Sequence, residues 1–267
     1  MEIFDLKGKT AVVTGAARGI GAATVDALVA AGWQVVAVDR CADDPALDYP
    51  LAAKSDLEEV AARHGAAVRT VVGDVRSASD MRAAVDEALR EFGGLQAAVA
   101  VAGVISGGPP LWETADAQWD ALFDVNVNGV RHLAAAAVPA LLDAPQPRQG
   151  RFVAVASAAG LLGLRRLAAY SASKHAVIGL VRSLAADLAG TGVTANAVCP
   201  GSTRGPMLDA SAAVYGLSSP EEFAVHQLVE RLLEPAEPAA LIAWLCGPDA
   251  GGVTGAALPV DGGMTTS

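Results

Sequence analysis

Cysteine is scarce. The chain has three in 267 residues, Cys41, Cys199 and Cys246, far apart and with no CxxC pair. That excludes a disulfide framework and a cysteine zinc site, and it fits the reducing cytosol, so a cytoplasmic protein is expected. Only four histidines are present, scattered, so no metal site is expected. Basic residues are also short, 19 Lys and Arg against 29 Asp and Glu, for a formal charge of −10 and a pI near 4.8. Such a surface argues against nucleic acid and against anionic membranes. No apolar run reaches the roughly 18 residues of a membrane span. The opening Met1-Glu2-Ile3-Phe4-Asp5-Leu6-Lys7 carries acids where a secretory leader needs a basic region, so no signal peptide is expected.

Hydrophobic residues, by contrast, make up 52% of the chain and charged residues 18%, which excludes disorder. Short β-type runs alternate with longer helical patterns from end to end. The spacing predicts strands over 9–15, 33–39, 68–74, 96–103, 151–157, 193–200 and 257–261. Several are near-continuously apolar, as strands buried on both faces are. Helices are predicted over 19–31, 55–64, 77–92, 116–142, 169–189 and 238–245. Ser77 and Asp80 have the spacing of a capping box, and Gly32, Gly65 and Gly93 stand where helices should stop. Strand–helix alternation without repeat, linker or change of composition predicts one α/β domain over 1–267, a doubly wound parallel sheet. Two segments break the rhythm. Cys41–Lys54 runs for 14 residues where a strand-to-helix loop usually takes about 2–6. Arg204–Gln227 mixes Gly, Pro and Met with Tyr215 and Phe223. Each reads as a solvated loop or as a cover over a site.

The first predicted strand runs into Thr14-Gly-Ala-Ala-Arg-Gly-Ile-Gly21, which opens a helix. Gly15, Gly19 and Gly21 would allow a tight turn, close backbone approach to a pyrophosphate and close helix–strand packing. The helix start offers free N–H groups to phosphates, with Ala17, Arg18 and Ile20 in the same loop. Asp39 stands 18 residues past Gly21, at the end of the second strand. A carboxylate there accepts from ribose hydroxyls and repels a 2′-phosphate, which favours NAD over NADP. Arg40 beside it could instead face a phosphate. Asp74 ends the third strand, where it could meet an adenine amino group or cap the following helix.

Tyr170-Ser-Ala-Ser-Lys174 puts a tyrosine and a lysine at i and i+4 on one helix face. A neighbouring ammonium favours a phenolate, so the expectation is a lowered tyrosine pKa and a general acid/base near neutral pH. Ser157 ends the strand just before that helix, at the strand end where open α/β sheets bind ligands. Asn126 lies on the apolar stripe Leu122, Asn126, Val130, Leu133, Ala137, where its amide must find partners or cost about 1–3 kcal/mol.

Together these pieces resemble the short-chain dehydrogenase/reductases over essentially the whole chain. The further matching pieces are Asp74-Val75, Ala102-Gly103, Val125-Asn126-Val127, Asn196-Ala-Val-Cys-Pro200-Gly201 and Val260-Asp-Gly-Gly263. The resemblance implies a Rossmann fold with a seven-stranded sheet, usually in a homotetramer with the C-terminal strand near a subunit interface. It implies Tyr170 as general acid/base, Lys174 as its tuner and nicotinamide-ribose ligand, Ser157 on the substrate oxygen and Asn126 anchoring a water of the proton relay. It places Val75, Ala102, Gly103, Pro200, Gly201 and Thr203 beside the cofactor. Two positions depart from the family pattern. Ala100-Val101 stands where two asparagines usually brace the sheet centre, and Gly205 where a threonine usually meets the cofactor. The stretch Val38–Ala52 resembles the mycofactocin-coupled members, which implies NAD held under the insertion and re-oxidised by a peptide-derived redox cofactor. The expected activity is hydride transfer between NAD and a small-molecule alcohol or ketone. Ile105, Leu161, Leu162, Met207 and Tyr215 point to a hydrophobic secondary one. An NAD-binding regulator, or a lyase or isomerase using the same tyrosine, remains as the alternative reading.

Overall fold

A computed structural model describes residues 8–266. The expectation for Met1–Lys7 lies outside them. The apolar runs are strands: β1 Thr10–Thr14, β2 Gln34–Asp39, β3 Val68–Val72, β4 Ala97–Ala100, β5 Arg151–Val155, β6 Thr194–Pro200 and β7 Ala257–Val260. They form one sheet in the order β3-β2-β1-β4-β5-β6-β7, every pair parallel. Parallel strands covered on both faces cannot alternate polar with apolar, and β1 is accordingly buried at all five positions.

The pleat divides those side chains between two cores. Val12, Val36, Ala98 and Phe152 pack with α3 (Ala78–Phe92), α5 (Gly129–Asp143) and α6 (Ala168–Asp187). Val13, Val35, Val99 and Val153 pack with α1 (Gly19–Ala30), α2 (Lys54–His64) and α8 (Ala236–Cys246). Ser77 caps α3, accepting from the Asp80 N–H at 3.2 Å, and Gly93 ends it at a φ of +78°. Because β1 and β4 are neighbours whose chains leave in opposite directions, a crevice opens at their carboxyl ends.

Two expectations are corrected here. The predicted helix over 116–142 is α4 (Asp116–Phe123), a wider π turn at Asp124–Asn128, and then α5. The π turn is where Asn126 reaches sideways to the loop after β4, a tertiary demand that periodicity does not carry. The segment 204–227 is not a plain loop either. It contains α7 (Pro206–Tyr215), with Pro206 in its first turn and Gly216 ending it, and a 3-10 turn over Pro220–His226. Among the described residues no helix is long and apolar enough to cross a membrane.

Candidate active site

The crevice is a cavity of about 760 Å³. At its nucleotide end, Gly15 turns the chain at a φ of +65°, and a Cβ there would lie 2.7 Å from the backbone of Ala102. A Cβ on Gly21 would lie 1.9 Å from the Gly15 carbonyl oxygen. Only hydrogens let α1 sit this close to the turn. Arg18 precedes α1 in extended conformation and gives it no side-chain cap, so the first N–H groups of the helix are available to an anion. Gly15, Arg18, Gly19, Ile20 and Gly21 all lie on the cavity wall. Ala17 does not. It is buried, and its N–H is spent on the Asp39 carboxylate at 3.1 Å.

Asp39 accepts from Cys41 N–H as well, at 3.2 Å, so one carboxylate ties the glycine turn to the end of β2 while still facing the cavity. Arg40 and Asp74 are on the wall too, but partnered. Arg40 pairs with Asp44 at 2.6 Å and with Asp74 at 3.3 Å, and Asp74 takes the Arg76 guanidinium at 2.6 Å. Burial pushes the Asp74 carboxyl up, and its bonds to Arg76 more than reverse this, leaving it below its usual range. Asp74 does not cap α3, since that bond is made by Ser77.

The sheet centre lacks the two asparagines, and a hydroxyl takes their place. Thr14 Oγ1 accepts from the N–H groups of Val101 and Ala102 at 3.2 and 3.3 Å. Gly103 needs its small size, because a Cβ would meet Lys174 Nζ at 3.2 Å and Asn126 Oδ1 at 3.3 Å. Val75 lines the cavity and packs against Gly129 of α5. Pro200, Gly201 and Thr203 follow β6 along the opposite wall, with the Thr203 hydroxyl turned back to the Gly201 carbonyl. Gly205 has a φ of +143°, a conformation that a threonine would strain, so the departure there is built into the start of α7.

The predicted catalytic groups converge on one wall. Tyr170 and Lys174 lie one turn apart on α6, 7% and 3% exposed. Lys174 Nζ donates to the Val155 carbonyl at 3.0 Å and stands 5.8 Å from the centroid of the Tyr170 ring. Ser157 accepts from Ala159 N–H at 3.1 Å, and the Tyr170 hydroxyl faces the Met207 sulfur at 4.0 Å. The lowered tyrosine pKa is overturned. Burial pushes the Tyr170 phenol up to about 12, the Ser157 side chain offsetting only part of this and the neighbouring Tyr49 adding to it. Burial likewise depresses the Lys174 ammonium, to about 8. Asn126 is off the cavity wall. Its amide is consumed by Val104 and by the Ser173 hydroxyl.

Comparison with known proteins agrees with this geometry. The family model described as enoyl-(acyl carrier protein) reductase matches residues 15–265. An uncharacterized oxidoreductase of Mycobacterium tuberculosis is 35% identical over 97% of both chains. The (−)-trans-carveol dehydrogenase of Rhodococcus erythropolis is 34% identical over 97% of this chain and 98% of its own. The chain belongs to the short-chain dehydrogenase/reductase family. Carveol dehydrogenase from Mycobacterium avium, solved in complex with NAD, superposes with a TM-score of 0.92 at 29% identity, over 98% of this chain and 99% of that one.

In this short-chain dehydrogenase the other end of the cavity is apolar. Ile105, Leu162, Met207 and Tyr215 line it as expected, whereas Leu161 is not on the wall and stands 36% exposed. The sequence reading missed Tyr49 as a site residue. It lies inside segment 41–54, lines the same cavity, and its hydroxyl accepts from Ile105 N–H at 3.1 Å. Leu47, Tyr49 and Leu51 pack in one cluster with Ile105, Leu167 and Tyr170. The segment is held by Arg18, which donates to the Pro50 carbonyl at 2.9 Å, and by an internal bond from Leu51 N–H to Asp43 at 2.8 Å. The sequence signal available was an aromatic between two prolines in a loop too long for its position.

Proposed function

We propose that this oxidoreductase transfers a hydride between NAD and a hydrophobic secondary alcohol or its ketone. The observation that carries the reading is the meeting of Tyr170, Ser157 and Lys174 on one wall of a cavity whose far end is the uncapped, glycine-turned start of α1. The glycine distances fit a dinucleotide, since the loop and α1 have room for backbone approach and none for side chains. Gly15, Arg18, Gly19, Ile20 and Gly21 would hold the pyrophosphate and Asp39 the adenosine ribose. Asp74, Val75, Ala102, Gly103, Pro200, Gly201 and Thr203 would line the rest of the cofactor.

The nicotinamide, when bound, would supply the hydride acceptor for an alcohol in its oxidised form and the hydride donor for a ketone in its reduced form. Tyr170 holds the proton that is given to a ketone oxygen or taken from an alcohol. Ser157 fixes that oxygen from the side. Lys174 spends one N–H on Val155 and keeps two for ribose hydroxyls. Asn126 acts one step back, holding the chain around Gly103 and Lys174 in place. The apolar end formed by Ile105, Leu162, Met207 and Tyr215 suits a hydrocarbon ring or chain, as the name of the carveol-oxidising relatives suggests.

The finer reading is that segment 41–54 keeps NAD from exchanging, so that turnover needs an external acceptor such as mycofactocin. Its support is the packing of Leu47, Tyr49 and Leu51 over the site and the tether from Arg18. At a Kd near 1 nM and an association rate constant of about 10⁵–10⁷ M⁻¹s⁻¹, release would take roughly minutes to hours. The oligomer is read as a homotetramer, with the half-exposed edge strand β7 near a subunit contact. The working place is read as the cytoplasm, where the free thiols of Cys41, Cys199 and Cys246 stay reduced.

The test adds cyclic secondary alcohols to purified protein and follows the reduced-nicotinamide absorbance, with and without an acceptor dye. In parallel, labelled NAD is incubated with the protein and gel-filtered. The expected result is a single-turnover signal, multiple turnovers only with dye, and slow label exchange. No absorbance change with any secondary alcohol argues against the dehydrogenase reading. Exchange within seconds together with fast turnover on free NAD removes the covered-cofactor reading alone.

A further inference from the structure

Segment 41–54 returns one carboxylate to the end of the sheet. Asp44 is only 7% exposed, and its Oδ2 accepts from Arg40 Nη1 at 2.6 Å and from Arg76 Nη1 at 2.8 Å. Its Oδ1 accepts from Ala46 N–H at 3.0 Å. Asp74 closes the ring from the other side, taking Arg40 Nε at 3.3 Å and Arg76 Nη2 at 2.6 Å. Two guanidiniums and two carboxylates therefore satisfy one another next to Asp39. A third cation, Arg18, donates to the insertion's Pro50 carbonyl.

A dinucleotide carrying a 2′-phosphate needs a cation near the end of the second strand. This chain has one there, Arg40, immediately after Asp39. Its Nη1 and Nε are already engaged, and turning them to a phosphate would leave Asp44 buried without one of its partners, an outcome that low exposure makes costly. Asp39 beside Arg40 is braced as well, its two oxygens accepting from the Ala17 and Cys41 N–H groups.

We propose that Asp44, carried by the insertion, is a specificity-determining residue that keeps a 2′-phosphate out of this site by locking Arg40 and Arg76 in a closed ion-pair ring. It lines the same cavity as Asp39 and Arg40 and acts through the two arginines, as a positioning residue. The inference rests on the dinucleotide reading above and adds a second determinant, contributed by the insertion, to Asp39.

The test compares wild type with Asp44→Asn, which keeps the size and the acceptor for Ala46 N–H but removes the charge. After charcoal has stripped carried nucleotide, NADH and NADPH are titrated by fluorescence at low and at moderate salt. Wild type should bind NADPH at least about 100-fold more weakly than NADH. Asp44→Asn should tighten NADPH by about tenfold or more while NADH moves by less than about threefold. That gain should shrink with salt, as a gain from a partly exposed cation must. It should vanish in Asp44→Asn/Arg40→Gln, and Asp44→Glu should keep the exclusion. Should Asp44→Asn fail to fold, Asp44→Ser makes the same comparison. Equal wild-type affinities, or an Asp44 variant with no gain for NADPH, overturn the proposal. A wild type that binds neither nucleotide overturns the dinucleotide reading, and this inference with it.

Discussion

Asn126 and Val104 exchange two hydrogen bonds, Oδ1 accepting from the Val104 N–H at 2.8 Å and Nδ2 donating to its carbonyl at 3.0 Å. The pair works as one rung of a ladder between the π turn and the loop after β4. Nδ2 also reaches Ser173 of α6 at 3.1 Å, so a single amide joins the three elements that surround Gly103 and Lys174. Asn126→Ala should strand the buried polar groups of Val104, at about 1–3 kcal/mol for each. Urea unfolding would measure this. A variant as stable as wild type would show that the chain around Gly103 relaxes at no cost.

Tyr170→Phe keeps the ring that packs with Ile105 and Leu167 and removes the hydroxyl facing Ser157. Turnover should fall by at least about 10², the scale of general acid–base catalysis, with unchanged folding. Single-turnover absorbance with a secondary alcohol reads the chemical step. A near-normal signal would remove Tyr170 from the mechanism.

Lys174 gives the fold a pH signature. Its ammonium lies at about 8 in the folded protein against an ordinary 10.5. Between those values the unfolded chain holds a proton that the folded chain does not, so stability from this group rises with pH, by roughly 3 kcal/mol in all. Tyr170, raised to about 12, works in the opposite sense, but only above its ordinary value of 10. The thiols of Cys41, Cys199 and Cys246, pushed up by burial from 9 to about 11, 11 and 12, oppose the rise above pH 9, so it is expected between pH 8 and about 9, and Lys174→Met should flatten it. Denaturation midpoints across that range, compared between the two proteins, isolate the lysine from other groups. Parallel curves would mean that Lys174 is not desolvated as its surroundings imply.

Gly21→Ala puts a carbon where only 1.9 Å separates it from the Gly15 carbonyl oxygen. Either α1 or the turn must move, at a cost of about 3 kcal/mol or more. Thermal unfolding should show the loss, and NADH affinity should fall with it. Gly19→Ala meets no neighbour but is strained by its φ of +56°, so the pair separates collision from backbone strain.

The sheet was legible in the sequence, because strands buried on both faces are apolar along most of their length, and the centres of β1 and β2, Ala11–Val13 and Val35–Val38, read that way. The sequence by itself also determined the glycine turn, Asp39 and the Tyr170–Lys174 pair, since their spacing is local: one turn of helix, or one strand beyond a helix. Tertiary structure decided what depends on partners distant in the chain. The π turn exists because Asn126 meets Val104, 22 residues earlier. The Tyr170 phenol goes up rather than down because the surrounding core removes water from it and from Lys174 alike. Asp44 becomes the centre of an ion-pair ring only when the insertion folds back onto Arg76, 32 residues away. Charge, burial and hydrogen bonding at a site are sums over neighbours in space, and a linear pattern names the groups without fixing which of them meet.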